Sequence, residues 1–211
     1  RWSLSGLLMC YFFPFPKKFI KQMLIISFIG CTVQYSLSFY GLKILDGASA
    51  TLFIQAEIPF GILIAFFLLG EKPPLKNIVG LIIAFIGIIF LSGNPDLEDK
   101  ILGVFFILSG AFLWSFAQVI AKNVSEEIGG LALTAWLGIF AGPQAIFASF
   151  LIEGNPFTYI INADLKSWII IIYLGIIMNG VGYSIWYTVL RKHSINSVYP
   201  VLLLFPITGL L

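Results

Sequence analysis

Glu57 offers the most chemistry in this chain. It lies in the run ATLFIQAEIPFGIL, eleven residues after Asp46 and fourteen before Glu71, with no other charge between them. At 1.5 Å per helical residue that spacing predicts a position near the middle of a hydrocarbon layer ~30 Å thick. A carboxylate at that depth costs at least ~2.5 kcal/mol on insertion scales, so it faces a cavity, finds a partner or stays protonated. Two readings follow. Glu57 is a binding or proton-coupling group, or it is a protonated acid hydrogen-bonded to a neighbouring helix.

The residues around it are less decisive. Thr51, Gln55 and Pro59 stand at i, i+4 and i+8 and predict one helix face, whereas Glu57 points about 200° from Gln55 at ~100° per residue, so both cannot face one cavity squarely. Pro59 and Pro206 predict interrupted helices, because proline removes one backbone bond and pushes against the carbonyl four residues back. The freed acceptor could line a binding site, or the kink could serve packing alone. Asn179, Tyr183, Trp186 and Tyr187, at i, i+4, i+7 and i+8, form a polar-aromatic stripe suited to stacking or hydrogen-bonding a small organic molecule. Trp186 and Tyr187 approach a helix end, where interfacial aromatic belts occur, which leaves Asn179 and Tyr183 as cavity residues. Trp114 with Gln118 and Gln34 with Ser38 are further i, i+4 pairs, read first as helix–helix hydrogen bonds, with Trp114 kept as a binding residue. Glu71, just before Pro73, reads as a charge that favours the dipole of the helix starting there.

The elements that hold these residues are set by composition. The mean hydropathy is +1.00, 59% of residues are hydrophobic and 10% are charged, where soluble domains carry about 25% charged residues. The chain is therefore an integral membrane protein, and the bilayer is its first partner. A formal charge of +2, spread over short loops, excludes nucleic acid. Cys10 and Cys31 form no CxxC and support neither a disulfide nor a metal site, and no cofactor motif is visible. With one acid in the apolar runs and no histidine there, the sequence gives a membrane-embedded enzyme poor support. A channel would need a ring of like groups.

Eight apolar stretches can be counted, at about 2–13, 23–42, 47–70, 75–93, 102–121, 129–152, 167–190 and 194–211. Six are long enough to span. Backbone groups in lipid must bond internally, so all are expected as helices. Lys72-Pro73-Pro74, Asn94-Pro95-Asp96 and Glu153-Gly154-Asn155-Pro156 are the turns. The chain begins at Arg1 and stops at Leu211 inside an apolar run, and reads as a fragment. Asn123-Val124-Ser125 fits the glycosylation pattern, in a region expected as a loop on the cytoplasmic side. Gly138-x-x-x-Gly142 allows close helix contact and, with it, a homodimer.

The chain is also internally repeated. FYGLKILDGASATLFIQAEIPFGIL at 39–63 recurs as WYTVLRKHSINSVYPVLLLFPITGL at 186–210, with Tyr40 on Tyr187 and Pro59 on Pro206. The second stretch and its copy, the seventh, are an odd number of crossings apart, so they run through the bilayer in opposite senses. The charges agree. Lys17, Lys18, Lys21, Lys72, Lys76, Lys122, Arg191 and Lys192 fall on one side, read as cytoplasmic, and only Lys43, Lys100 and Lys166 on the other.

These features resemble the EamA-like branch of the drug/metabolite transporter superfamily. The resemblance is carried by Gly47-Ala48-Ser49-Ala50, Pro59 and Gly70-Glu71-Lys72, by Gly80 and Gly87 in the next helix, and by Gly103, Gly110 and Trp114 at the start of the second half. It implies an all-α polytopic membrane protein of two inverted five-helix repeats, ten helices in all, of which about eight are present. The first repeat is expected at 1–93 without its first helix, a connecting loop at 94–101 and the second repeat at 102–211 without its last helix. The resemblance implies export, and the chain is read as a secondary transporter of small organic metabolites such as amino acids or amphiphilic compounds across the plasma membrane; a proton as coupling ion is an expectation that rests on Glu57 alone.

Overall fold

The computed structural model describes residues 1–92, 99–154, 161 and 163–204. Pro206, the Asn94-Pro95-Asp96 turn and Asn155-Pro156 lie outside these. Among the described residues there are helices and no strand, as an apolar backbone deprived of water requires. The order is α1 (Trp2–Met9), α2 (Ile20–Ile26), a π-helical segment Ser27–Val33, α3 (Gln34–Ile44), α4 (Gly47–Ile54), α5 (Glu57–Leu69), α6 (Leu75–Ser92), α7 (Ile101–Ile128) and α8 (Gly130–Glu153). It continues with α9 (Leu165–Tyr173), a second π-helical segment Leu174–Gly182, α10 (Tyr183–Lys192), the short α11 (Ile195–Val198) and a 3-10 turn Tyr199–Leu203. Five continuous stretches are long and apolar enough to cross a membrane, at Lys17–Ile44, Gly47–Leu69, Ile101–Ile128, Gly130–Ile152 and Leu165–Lys192. Trp2–Phe12 and Leu75–Phe90 are shorter apolar helices.

The repeat has a local structural counterpart. In the register that puts Tyr40 on Tyr187, Ser27 falls on Leu174 and Val33 on Gly180, so the two π-helical segments occupy matching positions. The following element matches too. Tyr199–Leu203, which is 3-10 helical, falls on 52–56, where Gln55 N–H donates to Leu52 O at 3.2 Å and Ala56 N–H to Phe53 O at 3.0 Å in the same i→i+3 pattern.

Two compact units form, and neither coincides with a half of the sequence. The first comprises Arg1–Thr32 and Ile120–Lys192, the second Val33–Val119 and His193–Leu211. In the first, small residues let α1 lie on α8: a Cβ added to Gly138 would stand 2.5 Å from Trp2 O and one added to Gly6 2.5 Å from Ile139 N. The Gly138-x-x-x-Gly142 face is thus occupied by α1 within the chain. In the second, α3 packs on α7 through Gly41, Gly103 and Gly110, and Leu45, Ala50, Phe53, Val104 and Ile107 form a buried core.

Helix ends follow their sequence signals. Asp46 accepts the Ser49 N–H at 2.9 Å and Asp164 the Ser167 N–H at 2.8 Å, each capping the helix that follows. These bonds hold both carboxyls below the usual carboxylate range, through the Ser49 backbone for Asp46 and chiefly the Ser167 side chain for Asp164. Gly70 closes α5 in the left-handed region at φ 67°, and Glu71 N–H returns to Ala65 O at 3.3 Å. That reversal places Glu71 for a role its neighbours do not suggest. Its Oε2 accepts the N–H of Ile195 at 2.8 Å, so it caps α11, far from it in sequence. One further expectation is corrected. α7 runs on to Ile128, helped by Ser125 Oγ donating to Lys122 O at 2.7 Å and by the Lys122–Glu126 pair at 3.9 Å, and ends at Gly129 with φ 88°. Asn123-Val124-Ser125 is therefore helical, without the extended loop that a glycosylation acceptor needs.

Candidate functional site

Glu57 opens α5, and Pro59 explains why a helix starts there. Pro59 has no N–H to give to the carbonyl of Gln55, so Ile58 N–H takes that acceptor instead, at 3.1 Å, and the backbone tightens through Gln55–Ala56. Phe60 N–H, bonded to Ala56 O at 3.1 Å, restores the α pattern. This corrects the expected free acceptor: the proline tightens the turn before it, and the Gln55 carbonyl is already engaged. Pro59 itself sits in the first turn of α5, where a missing N–H has least effect.

The Glu57 side chain is 7% exposed, and among the described residues its carboxyl makes no hydrogen bond or ion pair. Its backbone carbonyl is held. Ser115 Oγ, fully buried on α7, lies 2.7 Å from Glu57 O and 2.9 Å from its own turn's Ala111 O, sharing one donor between them. Nothing in the residue pattern marks Ser115 beyond its place beside Trp114.

Gln55 and Pro59 face the other way, as their spacing predicts. Both line a cleft of about 590 Å³ that includes Lys76, Asn77 and Gly80 of α6, and Glu57 is not among its lining residues. Gln55 Oε1 is buried there without a hydrogen-bond partner among the described residues, and Asn77 Nδ2 donates to Asn196 O at 2.9 Å. Lys76 reads in the sequence only as a loop charge, and nothing in the pattern singles out Asn77. Trp114 is half-buried on α7, next to Ser115. All of these belong to the second compact unit.

Asn179 and Tyr183 belong to the first unit. Asn179 sits in the second π-helical segment, 1% exposed, with Nδ2 unpartnered among the described residues. Tyr183 stands in an aromatic column, its ring centroid 4.9 Å from Trp2 and 5.9 Å from Tyr187 with the latter pair stacked at 28°. Tyr187 is only 1% exposed, so it is a core residue and not part of an interfacial belt. Gln34 Nε2 donates to Ser38 Oγ at 3.0 Å within α3, so that pair is intrahelical and not the interhelical bond expected. Among the described residues no three His, Cys, Asp or Glu side chains gather as metal ligands.

Against known proteins, the model of the EamA-like transporter family matches residues 1–93 and 101–211. The chain is 24% identical over 196 residues to a probable amino-acid metabolite efflux pump of Escherichia coli (strain K12), covering 87% of this chain and 61% of that protein. It is 22% identical over 200 residues to the uncharacterized transporter YoaV of Bacillus subtilis (strain 168), covering 92% of this chain and 66% of that one. It is also 27% identical over 196 residues to YetK, an uncharacterized transporter of the same organism, covering 88% and 58%. The chain thus spans about three-fifths of the length of these relatives. No solved structure matches it.

Proposed function

Because the chain belongs to the EamA-like transporter family and has the helices of a multi-pass membrane protein, we propose that it is part of a secondary transporter that exports small organic metabolites by alternating access. Amino acids and amphiphilic compounds are the favoured cargo, a reading supported by the name of the Escherichia coli relative, a probable amino-acid metabolite efflux pump. The chain is taken as two inverted repeats, 1–93 and 102–211 joined by 94–101, in the plasma membrane, a division that the two matched regions, 1–93 and 101–211, support.

The observation that carries the reading is Glu57, a buried acid without a side-chain partner among the described residues, at a helix start inside a candidate membrane span. Intramembrane acids of that kind mark ion and substrate pathways. In this proposal Glu57 takes up a proton when its surroundings open to one side and releases it on the other, which couples export to a proton gradient. Gln55 and Pro59 in their cleft, Trp114, Pro206, and Asn179 with Tyr183 are proposed to contact cargo.

Full-length protein in liposomes, screened with amino acids, nucleosides and lipophilic cations, tests this directly. The parent protein should concentrate its cargo when a pH gradient is imposed. Glu57→Gln keeps the shape but cannot titrate, so it should still exchange cargo across the membrane while losing that accumulation. A Gln variant that concentrates cargo as the parent does would refute the coupling role.

A further inference from the structure

A groove on the first compact unit, outside the residues discussed above, points to a second kind of ligand. It measures about 570 Å³ and runs along α10 and the π-helical segment before it, from Ile176 to Val189, with Leu8 and Met9 of α1 on its other side. At 1.5 Å per residue the run is about 20 Å long, enough for the acyl chain of one leaflet, about half of a ~30 Å hydrocarbon layer. Ile185 and Val181 in its wall are exposed, and apart from hydroxyls such as those of Ser184 and Thr188 its lining is apolar. A small polar metabolite would find little to bond there.

The end of the groove supplies the missing polarity. Ser184, Thr188 and Arg191 stand at i, i+4 and i+7, and Ile185, Val189 and Lys192 at i, i+4 and i+7 beside them, so both cations continue the stripes that line the groove. Arg191 and Lys192 are exposed, and neither makes a hydrogen bond or ion pair among the described residues. The acids at the end of α7 are already engaged. Glu127 pairs with Lys18 at 3.6 Å and Glu126 with Lys122 at 3.9 Å. An apolar channel one leaflet deep therefore ends at two uncompensated positive charges.

The geometry points to a bound anionic phospholipid, its acyl chain along α10 and its phosphate at Arg191 and Lys192. Anionic lipid is concentrated in the cytoplasmic leaflet, and each basic residue near the surface adds about 1 kcal/mol of attraction, so two give a preference of roughly thirtyfold over a zwitterionic lipid.

The test uses the full-length protein purified from mixed bilayers of equal phosphatidylglycerol and phosphatidylcholine, with retained lipid counted by native mass spectrometry. The parent should retain phosphatidylglycerol in large excess. Arg191→Gln with Lys192→Gln should bring the ratio close to one while lipid is still retained. Ile185→Trp, or Val181→Trp if the first folds poorly, fills the groove from an exposed position and should reduce retention of both lipids. Equal retention of the two lipids by the parent, or an unchanged ratio in the double variant, overturns the proposal. So does a lipid-free dimer, which would make a second copy of the chain the occupant.

Discussion

Glu71 Oε2 lies 2.8 Å from the backbone N of Ile195, so a carboxylate at the end of α5 caps a helix that begins more than a hundred residues later. In the first copy of the repeat the equivalent helix is capped by its own Asp46. In the second copy that position is His193, which cannot accept as a carboxylate does, and Glu71 fills the role from a distance. Asn196 Nδ2 to Glu71 O, at 3.5 Å, and Asn77 Nδ2 to Asn196 O, at 2.9 Å, complete the tie.

Glu71→Ala should therefore lower stability by roughly the 0.5–2 kcal/mol that lost caps cost. Glu71→Gln, which keeps an acceptor, should lose less. Thermal unfolding in detergent reads both, and a cysteine placed at Ser197 should react faster in the alanine variant. Identical melting of Glu71→Ala and the parent would show that the contact contributes nothing.

The Ser115 hydroxyl is predicted to fix the start of α5. Ser115→Ala should cost about 1 kcal/mol, the net value of a typical hydrogen bond, and should alter transport parameters although Ser115 is not proposed to touch cargo. Ser115→Thr, which keeps the hydroxyl, should restore them. If Ala and Thr variants transport alike, the bond has no role in positioning Glu57.

The glycine contacts separate chain-internal packing from assembly. Gly138→Val would drive a side chain into the backbone of α1, and should abolish the monodisperse detergent particle. Gly80→Ala and Gly87→Ala, where a Cβ meets nothing within 4 Å, should be tolerated. A Gly138→Val protein that remains folded but loses a dimer would assign that glycine to an interface between copies.

The caps at Asp46 and Asp164 predict a pH dependence. Both carboxyls are held low in the folded protein, so their contribution is present above the unfolded pKa, near 3.9, and is lost as pH falls through the lower folded value. Asp46→Asn still caps but does not titrate. Its melting temperature should sit below the parent's at pH 7 and approach it below about pH 4, with a gap narrowed by salt because the site is exposed. A gap of constant size down to pH 2 would contradict this.

The proposed inverted arrangement predicts sidedness. Cysteines replacing Lys18 and His193 should share one accessibility to an impermeant thiol reagent in intact cells, and those replacing Lys100 and Asp164 the opposite one. Labelling of position 18 together with position 100 would end that topology.

Helix positions and the family were legible in the sequence because both depend on composition and short-range spacing. The apolar runs mark the helices, and Pro59, Gly70 and Asp46 mark their breaks and ends. The opposed directions of Gln55 and Glu57 were also legible, since a 100° step applies over two residues in any helix. Departures from that step were not legible. Asn179 lies inside a π-helical segment, which no residue pattern at i, i+4 and i+8 announces. Contacts between distant segments, such as Glu71 with Ile195, carry no local signal at all.

The paired π-helical segments also say something about descent. A widened turn amounts to one residue added to a helix without lengthening its span. Ser27–Val33 and Leu174–Gly182 carry theirs in the same register, although the two stretches now share few residues. A widened turn in the same place in both stretches is what descent from one shared copy would leave. The backbone thus carries a mark of the repeat that does not depend on which side chains the two stretches share.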